Sequence, residues 1–410
     1  MALNYVWVGF FLIAFVVALF KLLLLGDVSV FGDMVQSTFD MAKVSVDISI
    51  YLIGVITLWQ GIMKVGEEGG AVNYLTRIVS PFFTRLFPEV PKDHPAIGAM
   101  MMNFSANMLG LDNAATPLGL KAMNELQTIN PDQERASNAM IMFIVLNTSG
   151  LTVIPVSVMA IRAAQGAANP ADIFLPILLA TYFASLAGLI TVAIKQRINL
   201  LQPVILAWLG GITALITATL IFLLHQDQQT VSAISNTAGN AIIMSIIIGF
   251  FALALWKRVN VYETFIEGAK DGFSISIKII PYLVAMLVAI GVLRASGALD
   301  LIVAGIGSFF SLFLEDTRFV DALPTALMKP LSGSGARGMM VEQMTTFGAD
   351  SFVGRLAGVF QGSTETTFYT LAVYFGAVSI RKTRYALGAG LIADLAGIIA
   401  AIVIAYIFFG

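Results

Sequence analysis

The sequence predicts an all-α polytopic membrane protein. It should have about nine transmembrane helices plus two re-entrant helical hairpins, arranged as two inverted-topology repeats. Three observations carry this. The 410 residues are 58% hydrophobic and only 12% charged, against about 25% charged in soluble domains. Apolar runs long enough to span a bilayer recur from end to end. An ordered set of residues near the start also recurs in the second half.

The candidate spans fall at roughly 5–26, 45–63, 138–160, 172–194, 202–224, 239–256, 275–293, 351–375 and 385–409. The first, from about Val6 to Leu25, is too long for a signal-peptide core and lacks a small-residue cleavage site, so it reads as a retained helix. The intervals 64–137 and 294–350 are neither clean spans nor soluble domains. Each holds a short apolar piece, a Gly/Asn/Ser/Pro cluster and a short amphipathic piece. That pattern predicts hairpins too short to cross, with polar tips buried in protein or facing water. The organisation expected is an N-terminal transmembrane helix (1–42), a first repeat (43–200, hairpin about 95–128), two linking helices (201–268) and a second repeat (269–410, hairpin about 322–347).

Positive charge predicts orientation. Lys64, Arg77, Arg85, Lys92, Lys121 and Arg135 share one connection. Lys195 and Arg197, then Lys257, Arg258 and Lys270, then Arg381, Lys382 and Arg384 fill the alternate ones. The positive-inside rule then places the N-terminus in the cytoplasm and the C-terminus outside. The segment 294–350 runs against this pattern, with Arg294, Arg318, Lys329 and Arg337 on the side expected to be outside.

The repeat is read from ordered matches. Lys43, Ile48-Ser49-Ile50, Ile53, Gly70-Ala71 and Phe82-Phe83 recur at one constant spacing as Lys270, Ile275-Ser276-Ile277, Ile280, Gly297-Ala298 and Phe309-Phe310. Met101 and Ser105 pair with Met328 and Ser332 at that spacing. With a different gap, Asn147-Thr148-Ser149 falls opposite Gln361-Gly362-Ser363, and Leu186-Ala187-Gly188 opposite Leu395-Ala396-Gly397. An odd number of spans separates equivalent points, so the second copy is inverted. Inverted repeats with broken helices are the pattern of secondary transporters.

The chemistry-bearing stretches lie where apolar runs are interrupted. Gln361-Gly362-Ser363-Thr364-Glu365-Thr366-Thr367 sits inside a long apolar run, and a carboxylate there costs several kcal/mol unless paired, hydrated or used. A structural pairing of Glu365 with Arg337, Arg355 or Lys278 is the bland alternative to a binding or proton-carrying role. Asn147-Thr148-Ser149-Gly150 and then Pro155 interrupt an earlier span, which predicts an opened backbone. The first hairpin tip is expected over Asn103–Pro117, with Pro117 in the first turn of the following helix and Thr116 capping it. Asn103, Ser105, Asn107 and Asn113 offer neutral oxygens and donors at this tip, where freed carbonyls suit Na⁺; the alternative is that they satisfy the tip's own backbone. Asn113, Thr116, Ser332, Ser334, Arg337, Gln361, Ser363, Thr364, Glu365 and Thr366 form the candidate substrate site. Glu365 and Asp394 are the coupling candidates, with a buried structural bond the equal alternative for Asp394.

Other classes are set aside. The net charge of −2 argues against a nucleic-acid partner, and the absence of cysteine removes disulfide, zinc-thiolate and thiol chemistry. No P-loop appears. His94 and His225 read as interfacial residues. The methionines at 100–102 and 339–340 read as packing. No cofactor is expected beyond Na⁺ or H⁺ as coupling ion, and no enzymatic activity.

The block Asn107-Met108-Leu109-Gly110-Leu111-Asp112-Asn113-Ala114-Ala115-Thr116-Pro117-Leu118-Gly119-Leu120-Lys121-Ala122-Met123 resembles the spore maturation protein A family. The blocks Leu331-Ser332-Gly333-Ser334-Gly335, Gly362-Ser363-Thr364-Glu365-Thr366-Thr367 and Leu391-Ile392-Ala393-Asp394-Leu395-Ala396-Gly397 resemble spore maturation protein B. The resemblance covers roughly 43–200 and 270–410. Both belong to the nucleoside-recognition, or gate, family, which is similar to concentrative nucleoside transporters and to the membrane gate of bacterial ferrous iron transporter B. It implies a bacterial inner-membrane, multi-pass protein with paired hairpins and broken helices. It also implies a Na⁺ site built from a hairpin tip and an unwound helix, which here falls on Asn103, Ser105, Asn107, Asn147 and Ser149. The cysteines associated with iron gates are absent here. The function expected is alternating-access transport of a small polar or anionic solute, such as a nucleoside-like one. The alternative is a non-transporting scaffold or regulatory factor. A homo-oligomer contacting membrane lipid is expected, with 202–256 as the candidate contact region.

Overall fold

The computed structural model describes residues 2–410 other than Leu111; the side chains of Ala2, Leu3 and Asp112–Ala114 lie outside the described residues. The chain is 79% helical, with no strand among the described residues. Seven helices there are long and apolar enough to cross a membrane.

In chain order these are α1 (Ala2–Phe20, continued by a π-turn to Leu25), α2 (Val30–Glu68), α3 (Ala71–Phe83), α4 (Pro95–Met108), α5 (Asp112–Thr128), α6 (Asn138–Ser149), α7 (Val156–Ala164), α8 (Phe174–Gln196) and α9 (Pro203–Leu224). There follow α10 (Gln228–Trp256), α11 (Val261–Ala295), α12 (Ala298–Phe310), α13 (Leu323–Met328), α14 (Gly333–Phe347), α15 (Phe352–Ser363), α16 (Thr367–Ala377) and α17 (Ala386–Phe409). The expected spans 138–160 and 351–375 are each two shorter helices, α6 with α7 and α15 with α16.

The connection expected at 27–44 is largely helix, because α2 begins at Val30. At 1.5 Å per residue its 39 residues run ~58 Å, well beyond a ~30 Å hydrocarbon core. Its polar residues Asp33, Gln36 and Asp40 lie on exposed positions of the helix, where Gln36 donates to Asp40 at 2.9 Å. Where helices start, the caps are explicit. Ser137 accepts from the Met140 N–H, Asp227 from Thr230, and His94 Nδ1 from Ala96 just before Pro95. Gly70 and Gly297, matched in the sequence repeat, both have left-handed backbones (φ 82° and 81°). Each precedes a helix of 13 residues.

Contacts divide the chain into two compact units. The first comprises residues up to Trp59, Ser157–Pro170 and Ala269–Gln361. Its core gathers Ala14, Ala18, Met34, Met286, Ile290, Leu293, Met328 and Met339 from α1, α2, α11, α13 and α14. The Trp7 indole N–H donates to the Ala285 carbonyl at 2.9 Å, fixing α1 on α11.

The second unit comprises Gln60–Val156, Ala171–Gly268 and Gly362–Gly410. Helix α6 runs through its centre, buried from Ala139 to Ser149. A helix apolar on every face is a core helix. Phe104 stacks on Phe83 at 4.6 Å and meets Phe143 edge-on at 5.4 Å. Helices α8 and α17 cross on small residues: a methyl at Gly188 would lie 3.2 Å from Ala393 Cβ, and one at Gly397 3.1 Å from Ala184 Cβ. Small residues at such crossings let membrane helices approach closely.

Candidate functional site

The centre of the second unit is built on two helix breaks. Helix α6 stops at Ser149 because Gly150 takes a left-handed conformation (φ 54°, ψ 60°). Residues 151–155 stay non-helical as far as Pro155, which has no N–H to offer an interior turn. The Asn147 side chain bonds the Phe143 carbonyl, Thr148 bonds Val145 and Ser149 bonds Leu146, each on α6 itself.

The tip joining α4 to α5 lies against this break. The Val153 N–H donates to the Met108 carbonyl at 2.8 Å, and a Cβ at Gly110 would meet the Ile154 carbonyl at 2.8 Å. Asn107 donates to Asn147 Oδ1 at 2.9 Å and to Asn103 Oδ1 at 3.4 Å. Asn103, fully buried, donates to the Ala115 carbonyl at 2.8 Å across the hairpin and bonds the Tyr374 hydroxyl. Three of the five expected ion ligands, Asn103, Asn107 and Asn147, therefore meet. Ser105 turns instead to Thr76 Oγ1 at 2.9 Å, and Ser149 to its own helix. A cation would take the Asn103 and Asn147 oxygens only in place of the Asn107 amide.

The tip is shorter than the sequence predicts. Helix α4 continues through Asn103–Met108, and α5 starts at Asp112 with Pro117 inside it. Thr116 is thus an exposed residue of the second turn and not the cap. The Asn113 side chain lies outside the described residues.

The second break spans Thr364–Thr366, between α15 and α16. The Glu365 N–H donates to the Thr148 carbonyl at 2.8 Å, so the amide freed by one break satisfies a carbonyl freed by the other. Glu365 Cγ would lie 3.0 Å from a Cβ on Gly150. Its carboxylate is exposed and, among the described residues, forms no ion pair. Arg355, in the first unit, bonds Asp350. Asp394 on α17, 2% exposed, accepts from Thr367 Oγ1 at 2.7 Å. Gly397 packs on Thr364 and Ser363, and Gly188 on Ser149. Ser363, Thr364 and Thr366 are all buried beside the break.

The remaining expected substrate residues belong to the first unit. Ser332 caps α14, accepting from the Gly335 N–H at 3.0 Å, with Ser334 Oγ at 3.2 Å. Gln361 Nε2 reaches the Gly333 carbonyl at 3.5 Å. Its buried Oε1 has no hydrogen-bond partner among the described residues. Arg337 follows in the second turn of α14, half-buried.

Sequence reading missed the buried charges of this unit. Arg162 on α7 is fully buried, pairs with Asp350 at 3.0 Å and donates to the Ala349 carbonyl. Glu342 on α14 pairs with Arg294, which also holds Asp300 at 3.0 Å. Both partners of each pair are ordinary charges in sequence, and only the fold joins them. His94 and His225 belong to no metal-binding cluster; none exists among the described residues.

Fold and site together define an all-helical, multi-pass membrane protein whose polar centre lies at two helix breaks. The nucleoside-recognition family Gate matches residues 49–165 and 276–381, more than half of the chain, and the chain belongs to that family, a transporter-like one. Spore maturation protein B of Bacillus subtilis (strain 168) is 49% identical over 177 residues, covering 43% of this chain and 98% of that protein. Spore maturation protein A of the same organism is 38% identical over 187 residues, covering 46% of this chain and 92% of that protein. The two relatives cover the chain in two parts. No solved structure matches it.

Proposed function

We propose that this protein is a secondary active transporter that moves a small polar or anionic solute, such as a nucleoside-like one, by alternating access coupled to Na⁺ or H⁺. One observation carries the reading. Two broken helices meet through the Glu365–Thr148 backbone bond, and the Glu365 carboxylate beside them is exposed and unpaired. A carboxylate within a bilayer-spanning segment is tolerated where water reaches it or a ligand uses it. Asp394 and Glu365 are the coupling groups; Asn103, Asn107 and Asn147 are the oxygen and amide donors for a cation. The hairpins α4–α5 and α13–α14 are re-entrant, and nine crossings form two inverted repeats. Support for the repeats comes from matched geometry: Gly188 on Ala393 and Ser149, Gly397 on Ala184 and Ser363. The protein lies in the bacterial inner membrane with its N-terminus cytoplasmic, as a homo-oligomer, and carries no catalytic step.

A second reading is a scaffold or regulatory factor on a transporter-like fold. It is favoured by the local bonding of Thr148 and Ser149 to their own helix and of Asn107 to Asn147, and by relatives named for spore maturation. The deciding experiment binds nucleosides and small anions to the purified protein with and without Na⁺, then repeats this with Glu365→Gln and Asn107→Ala. Transport predicts at least tenfold weaker binding in one variant. Unchanged binding in both overturns the site.

A further inference from the structure

A partly open cavity of about 100 Å³ lies behind the first hairpin tip, within the second unit. Phe82, Phe83, Phe104 and Leu189 form walls, and Trp208 and Ile212 of the linking helix α9 close the outer side. Its inner end is polar: Asn107, Asn147 and Ser185, next to Gly150 at the break. The two amides bond one another, and Ser185 Oγ is buried without a hydrogen-bond partner among the described residues. Away from that end an occupant meets rings and aliphatic carbon.

We propose that this cavity seats the end of a lipid acyl chain entering from the bilayer. Three features identify that occupant. Helix α9 has 22 residues and is ~33 Å long, and Trp208 to Ile212 lie ~8–14 Å in from its N-terminal end. That is hydrocarbon depth, where the available ligand is an acyl tail. Next, Leu186 and Leu209 belong both to the cavity wall and to an apolar groove between α8 and α9, lined by Ile190, Leu206 and Gly210. This gives the chain a continuous path. Finally, the volume fits a few methylenes, below the ~150 Å³ at which a dry apolar cavity takes a benzene ring. The seated chain ends against Asn107–Asn147, so bilayer composition acts directly on the tip that abuts the first break.

The test keeps Trp208 as sole tryptophan, with Trp7, Trp59 and Trp256 replaced by Phe, in phosphatidylcholine vesicles whose acyl chains are brominated at mid-chain. Trp208 fluorescence should fall at least twofold relative to unbrominated vesicles and resist aqueous acrylamide. Filling the cavity by Ser185→Leu, or from the opposite wall by Ile212→Phe, should halve that quenching. Equal quenching in the filled variants, or ready quenching by acrylamide, overturns the proposal; the latter would mean an aqueous cavity. If the sole-tryptophan protein does not fold, phospholipid retained per chain after detergent exchange replaces fluorescence. The filled variants should then retain less lipid than the parent, and equal retention overturns the proposal.

Discussion

The helix pairs α4–α5 and α13–α14, which carry the two stretches expected as hairpins, are held by different chemistry. The first relies on neutral amides: Asn103 to the Ala115 carbonyl, Asn107 to Asn147. The second relies on charge and a clamped amide. Glu342, 3% exposed, pairs with Arg294 and accepts from Thr346 at 2.8 Å. Gln343 accepts from Thr325 and donates to the Asp321 carbonyl. A neutral hydrogen bond contributes about 1 kcal/mol net, whereas removing one partner of a buried ion pair costs about 3–5 kcal/mol. One fold thus carries a hairpin anchored by many small terms and another anchored by a few large ones.

The largest expected effect tests the second kind. Glu342→Ala should destabilise by about 3–5 kcal/mol, read as thermal unfolding in detergent, while Arg294→Met/Glu342→Met together should recover much of that loss. If the double variant is as unstable as the single one, the anchoring is packing and the contrast fails. Asn103→Ala should cost less, about 1 kcal/mol, because it removes a neutral side-chain bond to the Ala115 carbonyl, which keeps its partner within α5. A loss equal to that of Glu342→Ala would erase the difference between the hairpins.

Much of this organisation was legible in the sequence for local reasons. The break at Gly150–Pro155 follows from two residues that each stop a helix, and the break at Thr364–Thr366 from a polar run no apolar helix explains. The tip boundary was less legible. Pro117 reads as a first-turn residue, yet inside α5 it removes only the bond to the Asn113 carbonyl, so the helix can start earlier. The exposure of Glu365 was hidden by its apolar neighbours, since flanking composition says nothing of which face of a helix break is covered. Arg162 was invisible as a functional group because its partner Asp350 lies 188 residues away. The extent of α2 was not legible because the segment carrying Asp33 and Asp40 is too polar to count towards a span, although a helix needs no apolar run to continue.

Smaller effects sharpen the contrast at its edges. Glu365→Gln should move stability by less than about 0.5 kcal/mol, since the carboxylate is exposed and unpaired. A large loss on unfolding would reveal a structural role and weaken the case for its use by ligand or proton. The smallest effect concerns Asp321, in the turn leading into α13. Burial pushes its carboxyl above the usual Asp range, Asp300 adds to the shift and Arg294 opposes it. A folded-state value raised above the unfolded one stabilises below the unfolded value, and that contribution is lost as pH rises through the folded value. Asp321→Asn, which stays neutral, should therefore gain on the parent as pH rises from about 3 to 7, across the ordinary Asp value near 3.9. Because Asp321 is only half-buried, solvent screening keeps the gain small. If the gap narrows with rising pH instead, attraction to Arg294 outweighs burial, and the charge holding the second hairpin extends beyond the Arg294–Glu342 pair to its entry turn.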